Sequence, residues 1–169
     1  QSPYRDGNHL FFSEGTQSSM FWIGYNPVGK ALSVASWNRD VVGNWREAHF
    51  PFQPKSVWQQ LTITMENATK QGGLVKLFIN GEQFGASSTH LTLPPANINL
   101  PPAGNQLQVG LGEDIYAFYH QAGWGTFEGG MSDVRIYRRT LSPFEVSRLY
   151  SGDLADLDGD GLKDNLELD

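Results

Sequence analysis

The carboxylates with the most telling spacing lie near the C-terminus. Residues 156–167 read D-L-D-G-D-G-L-K-D-N-L-E, which puts Asp156, Asp158, Asp160, Asp164 and Glu167 at positions 1, 3, 5, 9 and 12 of a twelve-residue loop, with Gly161 at position 6. Acidic residues at alternate positions repel one another unless a cation lies between them. A hard cation takes about six to eight oxygens, and alternate carboxylates converge on it only where the chain curls, as Gly161 permits. Leu162, at position 7, contributes its backbone carbonyl, and Glu167 closes the shell with two oxygens. This is the ligand pattern of a calcium loop, so Ca2+ is the expected cofactor, held by Asp156, Asp158, Asp160, Leu162, Asp164 and Glu167. Only Leu168 and Asp169 follow, short of the second helix of a complete helix–loop–helix site. The competing reading is a solvated acidic tail.

The charge balance isolates this stretch from the rest. Residues 153–169 hold seven acidic residues and one Lys, which accounts for the net charge of −6 of the 169-residue chain. Residues 1–150 are neutral, so no basic face is expected to hold nucleic acid. The chain has no Cys, which excludes thiol catalysis and thiolate metal sites. No apolar run approaches the ~20 residues of a membrane span. The chain starts at Gln1 without a signal peptide and reads as a mature chain or an excised piece.

A second kind of chemistry sits in two aromatic, polar stretches. Residues 36–50, SWNRDVVGNWREAHF, contain Trp37, Trp45, Glu47 and His49, and residues 112–127, GEDIYAFYHQAGWGTF, contain Tyr116, Tyr119 and Trp124. Sugar rings stack an apolar face on an exposed aromatic ring while their hydroxyls take polar partners. Both stretches read as loops too polar for the core, so Trp37, Trp45, Tyr116, Tyr119 and Trp124 are the candidate ligand-binding residues. The alternative is that they cover the ends of the fold. Trp22 and Trp58 fall within strand patterns and are expected in the core.

Nothing in the pattern of carboxylates supports catalysis. Glycoside hydrolysis needs two carboxylates flanking the scissile bond, and no strand of the body carries such a pair. The four His are scattered, and no Gly-x-Ser-x-Gly, His-Glu-x-x-His or phosphate loop occurs. The expectation is that the chain is not an enzyme.

These residues need a scaffold, and two-residue alternation supplies it. Strands are expected at 9–15, 19–26, 30–38, 57–65, 73–81, 106–112 and 129–139. Val57, Leu61, Ile63 and Met65 share one face, as do Val75, Leu77 and Ile79, then Leu107, Val109 and Leu111, then Val134 and Ile136. Asn80-Gly81 predicts a hairpin turn into the strand EQFGAS. A helix over 141–152 is signalled by Ser142 as N-cap, Pro143 in the first turn, Glu145 completing a capping box and Gly152 as the stop. Phe144, Val146, Leu149 and Tyr150 are its expected packing face. Asn67-Ala68-Thr69 fits a glycosylation sequon at a turn, and the Pro-rich 91–105 reads as a surface crossover or an arm reaching a neighbour. Aromatic content of 12%, with 19 Gly and 9 Pro, agrees with an all-β, antiparallel two-sheet sandwich carrying one short C-terminal helix and a calcium-loop tail.

The run VWQQLTITMEN, GGLVKLFINGEQF, QLQVGLGE and FEGGMSDVRIYRRTLSPFEVSRLY resembles, in order and spacing, a laminin G-like, concanavalin A-like jelly-roll domain, and residues 57–152 carry the likeness. Residues 9–38 fit the preceding strands less distinctly. The resemblance implies a jelly roll over 1–152, followed at 153–169 by a loop similar to those of thrombospondin type 3 and dockerin-type repeats. Such domains usually begin with several strands ahead of the position of HLFFSEG. Their absence here would leave a sheet edge for a partner, unless it reflects a chain boundary. In jelly rolls of this kind the Asp before the V-R-I-Y strand often helps hold a structural calcium. That implies Asp133, joined by Asp6; the alternative is that Asp133 only ends a turn. The function so implied is an extracellular, secreted or cell-surface, non-catalytic calcium-binding module that takes a glycan or an extracellular protein. A structural subunit that self-associates through an exposed sheet edge or the acidic tail is the alternative, and a glycoside-active domain a minor one.

Overall fold

A computed structural model describes residues 8–15, 19–38, 45–67, 73–89, 91, 108–111, 124–127, 129–137 and 139–152. Among them the alternating segments form nine strands: β1 (Asn8–Gly15), β2 (Ser19–Asn26), β3 (Ala31–Asn38), β4 (Trp45–Pro51), β5 (Leu61–Glu66), β6 (Leu74–Ile79), β7 (Glu82–Ser87), β8 (Gln108–Leu111) and β9 (Trp124–Thr126). One helix, α1 (Pro143–Ser151), follows them. The larger sheet runs β4-β3-β2-β1-β8 in antiparallel order, and the short β9 adds to β1 in parallel. The smaller sheet is the antiparallel meander β5-β6-β7.

The two-residue period decides what enters the core. From the larger sheet Phe21, Tyr25, Leu32, Val34, Ala48 and Phe50 point one way and meet Val75 and Leu77 of β6, together with Phe52 and Leu91. Ile23, Leu61, Ile63, Met65 and Ile79 pack at its margin. Apolar rows from two sheets thus close on each other, which is the sandwich arrangement of a jelly roll. Trp22 is fully buried, on the opposite row of the larger sheet, along with Leu10, Ser13, Ser33 and Ala35. The sheet is therefore buried on both faces over β1–β3. Leu91, at the head of the Pro-rich stretch, is fully buried in the core; residues 92–105 lie outside the described residues.

Three expectations fail, each for a local reason. Residues 57–60 do not extend β5. They form a bend in which the Lys55 N–H donates to Gln59 Oε1, and Gln60 and Asn80 exchange two hydrogen bonds across the strand ends. Val57 and Trp58 consequently stand outside the sheet, and Trp58 is 73% exposed. Residues 36–50 are not one loop, because Trp45–Pro51 is β4: Ala48 and Phe50 alternate into the core, while Glu47 and His49 on the other row and the exposed Arg46 ahead of Ala48 mask the strand. Residues 129–137 form no strand, although their pattern alternates. Gly130 lies under the Trp58 ring and Thr140 Oγ1 donates to the Met65 carbonyl, so the segment is tied near both ends of the β5 region. Within it Asp133 turns at φ 53°, which breaks the extended run. Val134 and Ile136 are left 47% and 72% exposed.

The helix forms as its caps dictate. The Ser142 side chain accepts from the Glu145 N–H at 3.3 Å, and the Ser142 N–H donates to the Glu145 carboxylate at 2.6 Å. Gly152 ends the helix at φ 74°. Its buried stripe is Leu141, Val146 and Leu149 against Phe78, on the face of β6 turned away from the larger sheet. Phe144, expected on that stripe, is exposed and lies under the Arg148 guanidinium instead, because a helical residue two before Val146 points to the other side. Tyr150 is half exposed, with its Cβ against Gly81. Asn80 (φ 52°) and Gly81 (φ 81°) make the tight β6–β7 turn. A Cβ on Gly81 would fall 2.9 Å from Tyr150 Cβ and 3.2 Å from Ser147 Cα, so the helix seats directly on this turn.

Gly81→Ala should lower stability in urea unfolding by about 1–3 kcal/mol. Gly152→Ala should cost less, since it meets a similar φ with open space around it. Equal losses would show that the seat of the helix on the turn contributes nothing. The capping box also sets an acid limit. Hydrogen bonds from Ser142 first, then the Arg139 guanidinium, hold the Glu145 carboxyl below its ordinary value of 4.5. A carboxylate depressed by folding contributes stability above its unfolded pKa and loses it as pH falls through the folded one. Stability should therefore decline below pH 4.5, and Glu145→Gln should flatten that part of the pH profile in thermal melts.

Candidate functional site

The β3–β4 ribbon brings two of the sequence candidates together. Its register is continuous from Ala31↔Pro51 to Trp37↔Trp45, so the two tryptophans occupy directly opposed positions on the last rung. Opposed residues of an antiparallel pair share a face, with Cβ atoms about 4.5–5.5 Å apart. Met20 of β2 continues the same rung. In the two-residue period, positions 37 and 45 extend the row of Ser33, Ala35, Glu47 and His49, not the row of Leu32, Val34, Ala48 and Phe50 that enters the core. Among the described residues β4 is the last strand of the larger sheet, and this rung lies at its end.

The same row carries a linked set of polar groups that the sequence treats only as loop residues. Ser33 Oγ and His49 Nδ1 are 3.2 Å apart, and His49 Nε2 is 3.3 Å from Glu47 Oε2. Ser33 is buried, the Glu47 side chain is largely covered, and the His49 side chain is 60% exposed. The carboxylate thus holds one nitrogen of the ring while the hydroxyl holds the other, and an edge of the imidazole faces solvent. Such a fixed set can exchange hydrogen bonds with a polyhydroxyl ligand. The signal that could have revealed it is the W-x-E-x-H alternation of residues 45–49, which is strand-like once Ala48 and Phe50 are recognised as its inward partners.

The other candidates are placed elsewhere. Trp124, in β9, pairs with Asn8 at the far end of β1, whereas Gly15 at the near end pairs with Met20. At about 3.3 Å per residue this separates its rung from the tryptophan pair by roughly 23 Å. Tyr116, Tyr119, Asp6 and the calcium-loop residues Asp156, Asp158, Asp160, Leu162, Asp164 and Glu167 lie outside the described residues. Asp133 is described. Its two carboxylate oxygens accept from Arg135 Nε at 2.7 Å and Nη2 at 3.2 Å, and this pairing, followed by Tyr137, raises the Arg135 pKa above its ordinary value. Among the described residues no three His, Asp or Glu side chains gather as a metal site. Asn67, exposed after β5 at φ 48°, sits at a turn as its sequon context implies.

Among the described residues no helix is long and apolar enough to cross a membrane. No curated protein and no solved structure matches the chain significantly. A laminin G-type family model, described as the Concanavalin A-like lectin/glucanases superfamily, matches residues 2–147. The match therefore takes in residues 9–38 as well as the C-terminal signature, and it covers both sheets and most of the helix. The chain belongs to the concanavalin A-like lectin/glucanases superfamily.

Proposed function

We propose that this chain is a non-catalytic carbohydrate-binding module of the extracellular space, stabilised by calcium. The observation that carries the reading is the register that sets Trp37 opposite Trp45 on the row of Glu47 and His49. Tryptophan is the residue type on which a sugar ring stacks, two of them stand at directly opposed backbone positions, and the neighbouring carboxylate and imidazole offer partners for hydroxyls. The lectin/glucanase superfamily favours a glycan over other polar ligands. Glu47 and His49 alone do not make the carboxylate pair that glycoside cleavage requires.

Calcium enters this reading through the spacing of Asp156, Asp158, Asp160, Asp164 and Glu167, with the carbonyl of Leu162, five residues beyond the helix. Bound there, the ion neutralises the local excess of negative charge and orders the chain that leaves α1. A second ion at Asp133 and Asp6 would have to replace Arg135 as the partner of the Asp133 carboxylate.

Two measurements test the proposal. Titration with a panel of soluble oligosaccharides should change tryptophan fluorescence. Trp37→Ala and Trp45→Ala should each weaken binding about tenfold or more, while Trp124→Ala, at the opposite end of the sheet, should leave it unchanged. No glycan response across the panel, or equal losses in all three variants, would overturn the platform. Chelation should lower the melting temperature of the wild-type chain, and Asp160→Ala should show the lower melting temperature even in calcium. Identical melts in calcium and chelator would return residues 156–167 to a solvated acidic tail.

A further inference from the structure

The segment 131–137, M-S-D-V-R-I-Y, has the alternation of a strand, lies exposed along its whole length, and pairs with no strand among the described residues. We propose that it is a homodimerisation strand: two copies of the chain pair through it, antiparallel, about a twofold axis at Val134.

The argument is one of register. An antiparallel pair centred on Val134 sets Asp133 of each copy opposite Arg135 of the other, and Met131 opposite Tyr137. Opposite charges on directly opposed residues stabilise such a pair, and like charges destabilise it. Moving the centre to Asp133 would oppose two carboxylates, and moving it to Arg135 would oppose two guanidiniums. A centre between residues would set a charged row against the row of Val134 and Ile136. Of these registers only the one about Val134 matches every charge, and it does so with the chain's own sequence as its complement. This self-complementarity selects a second copy over an unrelated partner.

The same register sorts the faces. Asp133 and Arg135 of both copies, with Met131 and Tyr137, fall on one face of the ribbon. Val134 and Ile136 of both copies fall on the other, so four exposed apolar side chains become mutual neighbours. In the single chain Asp133 stands at φ 53°, a left-handed conformation uncommon for a residue with a side chain, and its carboxylate holds Arg135 two residues on. Pairing lets Asp133 take an extended conformation and exchanges that intrachain ion pair for two interchain ones. This inference does not depend on whether a glycan binds the β3–β4 ribbon, of which the segment is no part.

The test is the oligomeric state of the full chain in calcium, followed by sedimentation equilibrium up to about 0.5 mM, because a seven-residue ribbon is smaller than a standard stable interface. The wild type should show a monomer–dimer equilibrium. Asp133→Arg and Arg135→Asp should each weaken it about tenfold or more by opposing like charges. The double exchange D133R/R135D should restore it. Both positions are exposed, so circular dichroism and melting temperature should stay near wild type. A monomer at every concentration, or a dimer indifferent to the single exchanges, would overturn the inference. So would protection of the 132–136 amides from hydrogen exchange in a chain that remains monomeric, which would mean that the segment pairs within its own molecule.

Discussion

Strand β6 is the element on which the other layers depend. Its alternate residues serve two interfaces at once: Val75 and Leu77 meet the larger sheet, and Phe78 meets the helix. All three are buried to within 1% exposure. A strand covered on both faces must be apolar on both, and L-V-K-L-F-I is nearly so. Lys76 is the exception, and it is resolved by an ion pair with Glu66 on β5. The Asn80–Gly81 turn at its end then fixes both the partner strand β7 and the seat of α1. Two neighbouring left-handed residues thus set the direction of a hairpin and the position of a helix.

The fold was legible where alternation and punctuation agreed. Strands β1, β2, β3, β6 and β7 follow their apolar periods closely, the hairpin follows Asn-Gly, and the capping box follows Ser142, Pro143 and Glu145. It was illegible where a tertiary tie overrode a local pattern. Residues 57–60 continue the alternation of β5, yet the strand starts only at Leu61, after the Gln60–Asn80 hydrogen bonds, and Trp58 stands in solvent. Residues 131–137 alternate as well, but Asp133 turns at φ 53° and the segment pairs with no described strand. Periodicity specifies which residues could share a face. It carries no information on whether a neighbouring backbone lies at the right distance to pair.

The candidate site was legible residue by residue but not as a site. Trp37 and Trp45 stood out by type, while seven intervening residues of mixed polarity concealed that the two belong to one hairpin. The Ser33–His49–Glu47 set spans two strands, and nothing in the local sequence of Ser33 distinguishes it from Ser36. Trp124 stood out equally by type and lies at the opposite end of the sheet. Aromatic content therefore identifies candidates, and only register decides which of them can touch one ligand.

The two edges of the molecule differ in a way that assigns them different work. An exposed sheet edge invites pairing with another chain unless charge or shape prevents it. Strand β4, last of the larger sheet among the described residues, carries Glu47 and His49 on one row and the exposed Arg46 with the core residues Ala48 and Phe50 on the other. Its polar row is satisfied within the ribbon, by the Glu47–His49 and Ser33–His49 contacts. The segment 131–137 has the opposite character. Its two charges are of opposite sign, spaced so that the same segment reversed neutralises them, and its apolar residues have no inward row to fill. The proposed glycan site and the proposed pairing segment therefore use separate parts of the chain, the first on the larger sheet and the second outside both sheets among the described residues.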